Sequence, residues 1–479
     1  MNGVPPASIW GKSVLMSIAP TMKKITIIAL MLALPVSVFA TDQFLETCLK
    51  IGENRDKKLA VAKEQISLSR VRVLRAGRSF LPVLLFQRKF SRGETKIESY
   101  EAEELGLRVS QPFFEGGKLR ATYRYERFGY GVAELNYTKF REELFYKAKS
   151  AYYELLTANM EQRRLRETFE EIKKLEAKCR IEYTAKAISD LDLQESLIFS
   201  EKVENMYRSA EMNSKLAEQK LIRVLNINSL DDIIFPLPEG LVEYPPEISF
   251  TLEECRKFIR TNNIEMKISD MQIMMASEKK KVDQAKVIPK VAIEGTYGQS
   301  GEAFVSTPLE LATVWTVAAK LTWGLWGNSL EVTQNQEKTI PRAIMDTSVR
   351  TDTVSYDMKF SLFDDLNYFV ESRESDVSHK QAIAENHEIL DKALLELEKF
   401  YNEYKLSLWN ARTAQTEVKV KERKLGVLRK KNELYEASTM EVMDGVFKVA
   451  ESVNTYTKAL STNYVAVCEM EKLTLMPLR

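Results

Sequence analysis

Two long stretches of this 479-residue chain, 113–235 and 342–476, contain no proline, and glycine is also missing from 132–235. Proline and glycine end helices and turn chains, so both windows predict helices far longer than a globular domain uses. The whole chain holds only 18 glycines and 14 prolines. A compact α/β enzyme needs more breakers than that between its strands and helices, and a stack of ordinary globular domains, suggested by length alone, is excluded on the same ground.

Charge narrows the function classes. Lys and Arg number 69 against 68 Asp and Glu, so no basic field favours nucleic acid as a partner. Two histidines, His379 and His387, and four cysteines, Cys48, Cys179, Cys255 and Cys468, are too few and too scattered for HExxH or paired CxxC sites. No catalytic, cofactor or metal constellation is evident in the sequence, so the chain reads as a non-enzyme.

From Met22 the chain runs Met22-Lys23-Lys24, then an apolar stretch from Ile25 to Leu34, then small residues up to Ala40 before Thr41-Asp42. A basic start, a short apolar core and a small-residue cleavage pattern describe a secretory signal peptide starting at Met22 and cut after Ala40. The apolar run is shorter than the ~20 residues that span a bilayer. No later stretch approaches 18 apolar residues, which leaves a soluble exported protein or a β-barrel.

The remainder reads as two repeats, 41–227 and 250–474, joined by a proline-rich connector, 228–249, and followed by a tail, 475–479. Cys48 and Cys255, like Pro82 and Pro289, stand 207 apart; Phe113-Phe114-Glu115 and Leu362-Phe363-Asp364 stand 249 apart; Tyr183 with Asp192 matches Tyr435 with Asp444 at 252. Four matches in order favour duplication. The second repeat carries an insertion at about 326–355.

After each proline comes a segment of period two. Trp315, Val317, Ala319, Leu321 and Trp323 alternate with Thr316, Ala318, Lys320 and Thr322, and Val291, Ile293 and Tyr297 do likewise. One apolar, aromatic face over ~10 residues fits a tilted membrane strand, with Trp315, Val317, Leu321 and Trp323 facing lipid. Two hairpins result, turning near 92–97 and 300–309.

The breaker-poor windows carry heptads: Leu144, Ala148, Ala151, Leu155 through Ile172 with a return from Val203 to Val224, and Leu390 through Leu408 with a return from Val446 to Leu460. A 3.5-residue period winds helices together, so each repeat holds an antiparallel helical hairpin. A helix from about Gly117 to Tyr183 would span ~100 Å. Four membrane strands cannot close a barrel, and open edges are not tolerated in lipid; three chains would give twelve.

These residues resemble the TolC-like outer membrane efflux protein family across 42–474. The resemblance rests on the repeat, the helix ends Leu81-Pro82 and Ile288-Pro289, the strand-to-helix turns 110–117 and 361–365, and the hairpin tips. At its tips the family reads aromatic, glycine, hydroxyl, Asp at intervals of three. Here the positions are Tyr183, Lys186, Ser189, Asp192 and Tyr435, Ser438, Glu441, Asp444, lacking both glycines and with Glu441 for the second hydroxyl.

The resemblance implies an α+β membrane protein: a homotrimer whose 12-stranded outer-membrane β-barrel, four strands per chain, continues as a long periplasmic α-helical barrel. Such ducts serve tripartite efflux pumps or type I secretion, meeting a periplasmic adaptor protein and an inner-membrane transporter. The tip residues, Asp190 included, are candidates for adaptor docking or a cation-favouring constriction, against helix capping by Ser189 and Asp190. Within this frame 329–355 is expected to be a periplasmic excursion rather than a rim elaboration. The competing reading is a soluble periplasmic coiled-coil structural or adaptor protein.

Other features read plainly. Cys48 and Cys255 could pair in an oxidising compartment, but buried small hydrophobes are the simpler expectation. His379 and His387 read as solvated. Glu115-Gly116-Gly117-Lys118 reads as a turn, without a P-loop framework. The charged runs 161–178 and 419–431 read as solvated helix faces.

Overall fold

The computed structural model describes Thr47 and residues 50–94, 98–229, 245–306, 308–339, 351–363 and 366–475. The leader, Cys48 and most of the connector lie outside the described residues.

Short capped helices open each half. Asp56 caps α1 (Lys57–Arg78) by accepting from the Lys58 and Leu59 amides (2.7 and 2.9 Å). Asn263, 207 residues on, separates α4 (Leu252–Asn262) from α5 (Ile264–Gln284) and accepts from the Glu265 and Met266 amides. The long helices are α2 (Lys118–Thr184), α3 (Asp190–Leu225), α6 (Asn367–Glu433) and α7 (Thr439–Thr474). Both hairpins join a 67-residue helix to a 36-residue helix at a constant offset of 249. At about 1.5 Å per residue the longer helices reach ~100 Å.

α3 lies on α2, α2 on α7 and α7 on α6, so α2 and α7 take the middle of a row and α3 and α6 its outer places. The heptad positions fill the seams: Leu144, Ala148, Ala151, Leu155, Leu165 and Ile172 of α2 are buried, as are Val446, Val449, Val453, Tyr456 and Leu460 of α7. On α6 the seam runs beyond Leu408 through Ala411, Ala414, Val418 and Leu425. Cys255 is buried with Ile259, Ala393, Leu397 and Met470.

The run 161–178 is not wholly solvated: Glu161 and Glu176 are buried. Lys149 of α2 and Glu471 of α7 form an ion pair whose side chains are only 11% and 1% exposed, tying the two halves together. Two outer stripes stay uncovered. α6 exposes Leu395, Leu406, Trp409, Val420 and Val427, with Leu434 just beyond its end, and α3 exposes Leu191, Ile198, Met212 and Leu216. Their steps of 11, 3, 11, 7 and 7, and of 7, 14 and 4, keep a heptad phase.

The strands form one antiparallel sheet in chain order: β1 (Val83–Glu94), β2 (Ser99–Glu115), β3 (Lys290–Phe304), β4 (Ala312–Gly324), β5 (Ser329–Thr339) and β6 (Thr351–Ser361). Pro112, which has no N–H to donate, sits at a register shift between Pro112 and Phe114. At the β2–α2 junction, Gly116 at φ +62° faces Ala285 O and Ile288, which a Cβ would approach to 2.9 and 2.8 Å.

The sheet has six strands where the sequence reading expected four, and the segments 329–339 and 351–361 pair with it as β5 and β6. Leu325 to Asn328 closes a two-residue turn, with Leu325 N donating to Asn328 O (2.7 Å) and both Trp326 and Gly327 at positive φ, the arrangement of type I′ hairpins. β5 then pairs with β4 from Gly324↔Ser329 to Trp315↔Lys338, and β6 with β5 from Ser329↔Ser361 to Thr339↔Thr351. A hairpin adds two strands, so the count stays even and the chain returns to the helical side of the sheet.

Glu471→Ala leaves Lys149 buried without its partner and is expected to cost about 3–5 kcal/mol, whereas the packed pair Lys149→Met with Glu471→Leu is expected to be neutral or stabilising. Thermal unfolding of the two variants checks this.

Candidate functional site

The two helical tips lie side by side at one end of the row. Lys178 Nζ donates to Asn432 Oδ1 (2.9 Å), Thr439 Oγ1 to Glu182 Oε1 (2.7 Å), and Arg429 makes a forked pair with Glu171. Beneath them Cys179 Sγ lies 3.6 Å from Met443 Sδ, and burial pushes its thiol up to about 11.

Each tip is built the same way. α2 ends with Lys186 at φ +60° and Ala187 N donating to Glu182 O (2.8 Å); α6 ends with Tyr435 at φ +61° and Glu436 N donating to Lys431 O (2.8 Å). Both are Schellman closures. Ser189 then caps α3 with Asp192 reaching back to the Ser189 amide (2.9 Å), and Ser438 caps α7 with Glu441 doing the same.

The repeat therefore corresponds at 249 through the tips, not at 252. Lys186 matches Tyr435, Ser189 matches Ser438 and Asp192 matches Glu441. The hydroxyl counted as missing from the second tip is Ser438, and Glu441 is its capping acid. The glycine positions are Lys186 and Tyr435, both held in the left-handed region, and Asn432 stands where the first tip has Tyr183.

These contacts sort the candidate acids. Asp192 is engaged in capping, and the hydrogen bonds from Ser189 hold its carboxyl below the usual range. Asp444 pairs with Lys448 one turn on. Asp190 stands exposed in the first turn of α3, and Tyr435 projects into solvent, 97% exposed. A residue that sequence reasoning missed lies deeper. Burial would raise the Glu176 carboxyl, but hydrogen bonds from Ser200 (2.5 Å), Arg180 and Lys173 outweigh it and hold the group low. Ser200 belongs to α3, so Glu176 clasps the first hairpin.

The remaining candidates, Trp315, Val317, Leu321 and Trp323, sit at the opposite end, on β4. Together with Leu84, Phe86, Leu107, Val109, Ile293 and Tyr297 they share one face of the sheet by register. The other face carries Gln87, Arg108, Glu104, Thr296, Ser300 and Lys320. It bounds a cleft of about 520 Å³ lined by residues from β1 to β5, including Gln87, Arg108 and Glu337, so the sheet curls around its polar side. Among the described residues the buried apolar clusters consist of helix residues and Ile227 just past α3, with no strand residue, so this sheet has an apolar face without a described protein core to cover it. Among the described residues no helix is long and apolar enough to cross a membrane, and no three His, Cys, Asp or Glu residues group to hold a metal.

Residues 52–226 match the family described as outer membrane efflux protein. Comparison with curated proteins gives no match. Among solved structures, the chain is similar to the Campylobacter jejuni CmeC outer membrane channel (15% identity, TM-score 0.65, 90% of this chain and 85% of that one). It is also similar to the Vibrio cholerae outer membrane protein VceC (12%, 0.67, 91% and 97%) and to the open state of the Neisseria gonorrhoeae MtrE outer membrane channel (12%, 0.68, 91% and 90%). At these identities the likeness is one of fold.

Two outcomes are expected at the tips. Lys186→Gly and Tyr435→Gly relieve left-handed strain and should each stabilise by up to about 1 kcal/mol, read as a rise in Tm. Because the folded-state value of Glu176 lies below its ordinary 4.5, its stabilisation is present above that value and is lost as pH falls through the folded one. Glu176→Gln should flatten the loss of thermal stability below pH 4.5, measured as Tm against pH.

Proposed function

We propose that this chain, a TolC-like outer membrane efflux protein by its family match and fold, is the outer-membrane exit duct of a tripartite efflux pump or type I secretion system. The observation that carries the reading is the one-sided sheet at the end of a ~100 Å helical row. An apolar, aromatic outer face with no core behind it suits lipid, and a concave polar face suits a water-filled passage. Helices of this length suit a passage across the periplasm.

Several copies complete the duct. The sheet has open edges at β1 and β6, and lipid does not tolerate unpaired backbone groups. The helical row has matching open sides, because α3 and α6 each present an apolar heptad stripe. Setting α3 of one copy against α6 of the next covers both stripes and closes a ring, which in a homotrimer holds twelve helices. A periplasmic adaptor would meet that ring at its tips, through Tyr183, Lys186, Ser189, Asp190 and Asp192 of one hairpin and Tyr435, Ser438, Glu441 and Asp444 of the other. An inner-membrane transporter would supply the energy, so the duct performs no chemistry of its own.

In detergent the protein is expected to be a trimer by native mass spectrometry and to conduct ions in planar bilayers; a stable water-soluble monomer contradicts the reading. Leu406→Glu with Trp409→Glu should dissociate the trimer, whereas Asp190→Lys should leave the trimer intact and impair export.

A further inference from the structure

We propose that each chain places six strands in the membrane, so that three copies close an 18-stranded barrel in which β6 of one copy pairs with β1 of the next. This rests on the reading of a trimeric outer-membrane duct.

The first argument is the side-chain pattern of the added hairpin. By register, Trp323, Leu321, Ala319 and Val317 of β4 stand beside Leu330, Val332, Gln334 and Gln336 of β5, and these stand beside Phe360, Met358, Tyr356 and Val354 of β6. The apolar outer face of the sheet thus runs on to its last strand, where Val354, Tyr356, Met358 and Phe360 are all strongly exposed. Gln334, Gln336, Lys338 and Asp352 are the polar members, grouped at the end of the hairpin away from the helices, where Gln334 Nε2 donates to Tyr356 Oη (3.3 Å) and Lys338 pairs with Asp352 (3.5 Å). The opposite face is polar throughout: Glu331, Thr333, Asn335 and Glu337 on β5, and Thr353, Ser355, Asp357 and Lys359 on β6. A hairpin lying in the periplasm would meet water on both faces, and four large apolar side chains in a row on β6 would have nothing to cover them.

Length and parity agree. Eleven residues per strand, at about 3.4 Å each and tilted by about 40°, rise about 28 Å. That clears the apolar band of about 25 Å. With six strands, β1 leaves the helical side and β6 returns to it, so β6 runs antiparallel to the β1 of a neighbouring copy. The two free edges are of similar length, 12 and 11 residues, and their pairing leaves no open backbone in lipid.

The girth also agrees. A tilted strand takes about 6.3 Å of circumference, so six take about 38 Å per chain. Four helices at about 8–10 Å take about 32–40 Å, and four strands only about 25 Å. Eighteen strands close a ring about 36 Å across at the backbone, against about 24 Å for twelve.

The test labels single cysteines in the full-length trimer in outer-membrane vesicles with a charged, membrane-impermeant maleimide, read above the labelling of the parent protein. Tyr356→Cys and Met358→Cys report the outward side of β6, Ser355→Cys and Asp357→Cys its inward side, and Val317→Cys with Thr316→Cys serve as the reference pair on β4. Inward positions are expected to label several-fold faster than outward ones on both strands. Uniform labelling along β6 with alternation kept on β4 overturns the six-strand barrel and leaves the duct standing; loss of alternation on both strands overturns the two together. A density map of the trimer in lipid nanodiscs should count 18 strands, and a count of 12 refutes the proposal.

Discussion

Unpaired backbone at the two edges of the sheet is the constraint on which the remaining architecture turns. A strand edge in water can be blunted by charge or covered by a loop, but an edge in hydrocarbon has no such remedy. The chain leaves β1 and β6 open, so in the proposed duct its fold is complete only as part of a ring. The sheet supports this by what it lacks: among the described residues no packed layer lies behind its apolar face, and every buried cluster lies among the helices.

The helical half meets the same requirement by different means. Its seams are heptads filled with small and β-branched side chains, Ala148, Ala151, Val446 and Val453 among them, which set the helices close together. One buried ion pair, Lys149 with Glu471, and a set of hydrogen bonds at the tips fix the two hairpins against each other. The stripes on α3 and α6 repeat the heptad outward. Sheet and helices are thus incomplete at the same two sides.

Much of this was legible in the sequence, and the parts that were not have physical reasons. The helix read as running from about Gly117 to Tyr183 is Lys118–Thr184, because breakers and heptads act locally. β5 was missed because its outward positions turn from Leu330 and Val332 to Gln334, Gln336 and Lys338, so the alternation fades halfway; only its pairing with β6 reveals it. The tips were read one helical turn out of register. Tyr and Asp recur nine apart in both halves, but the true correspondence is set by the left-handed residue and the capping acid, neither of which has a fixed side-chain identity. Glu176 was hidden in a charged run whose neighbours face water; its burial depends on Ser200, from another helix.

The turn from Leu325 to Asn328 means that the extra strands leave and rejoin the chain on one side of the sheet, next to the start of α6. Circumference and length are thereby governed by separate parts of the sequence. In the proposed duct, whole hairpins inserted before α6 would alter the width of the membrane ring in even steps, while the number of heptads in the long helices would alter the reach. An odd insertion would send the second helical hairpin out of the opposite face of that membrane, so such a duct can vary its calibre only in pairs of strands.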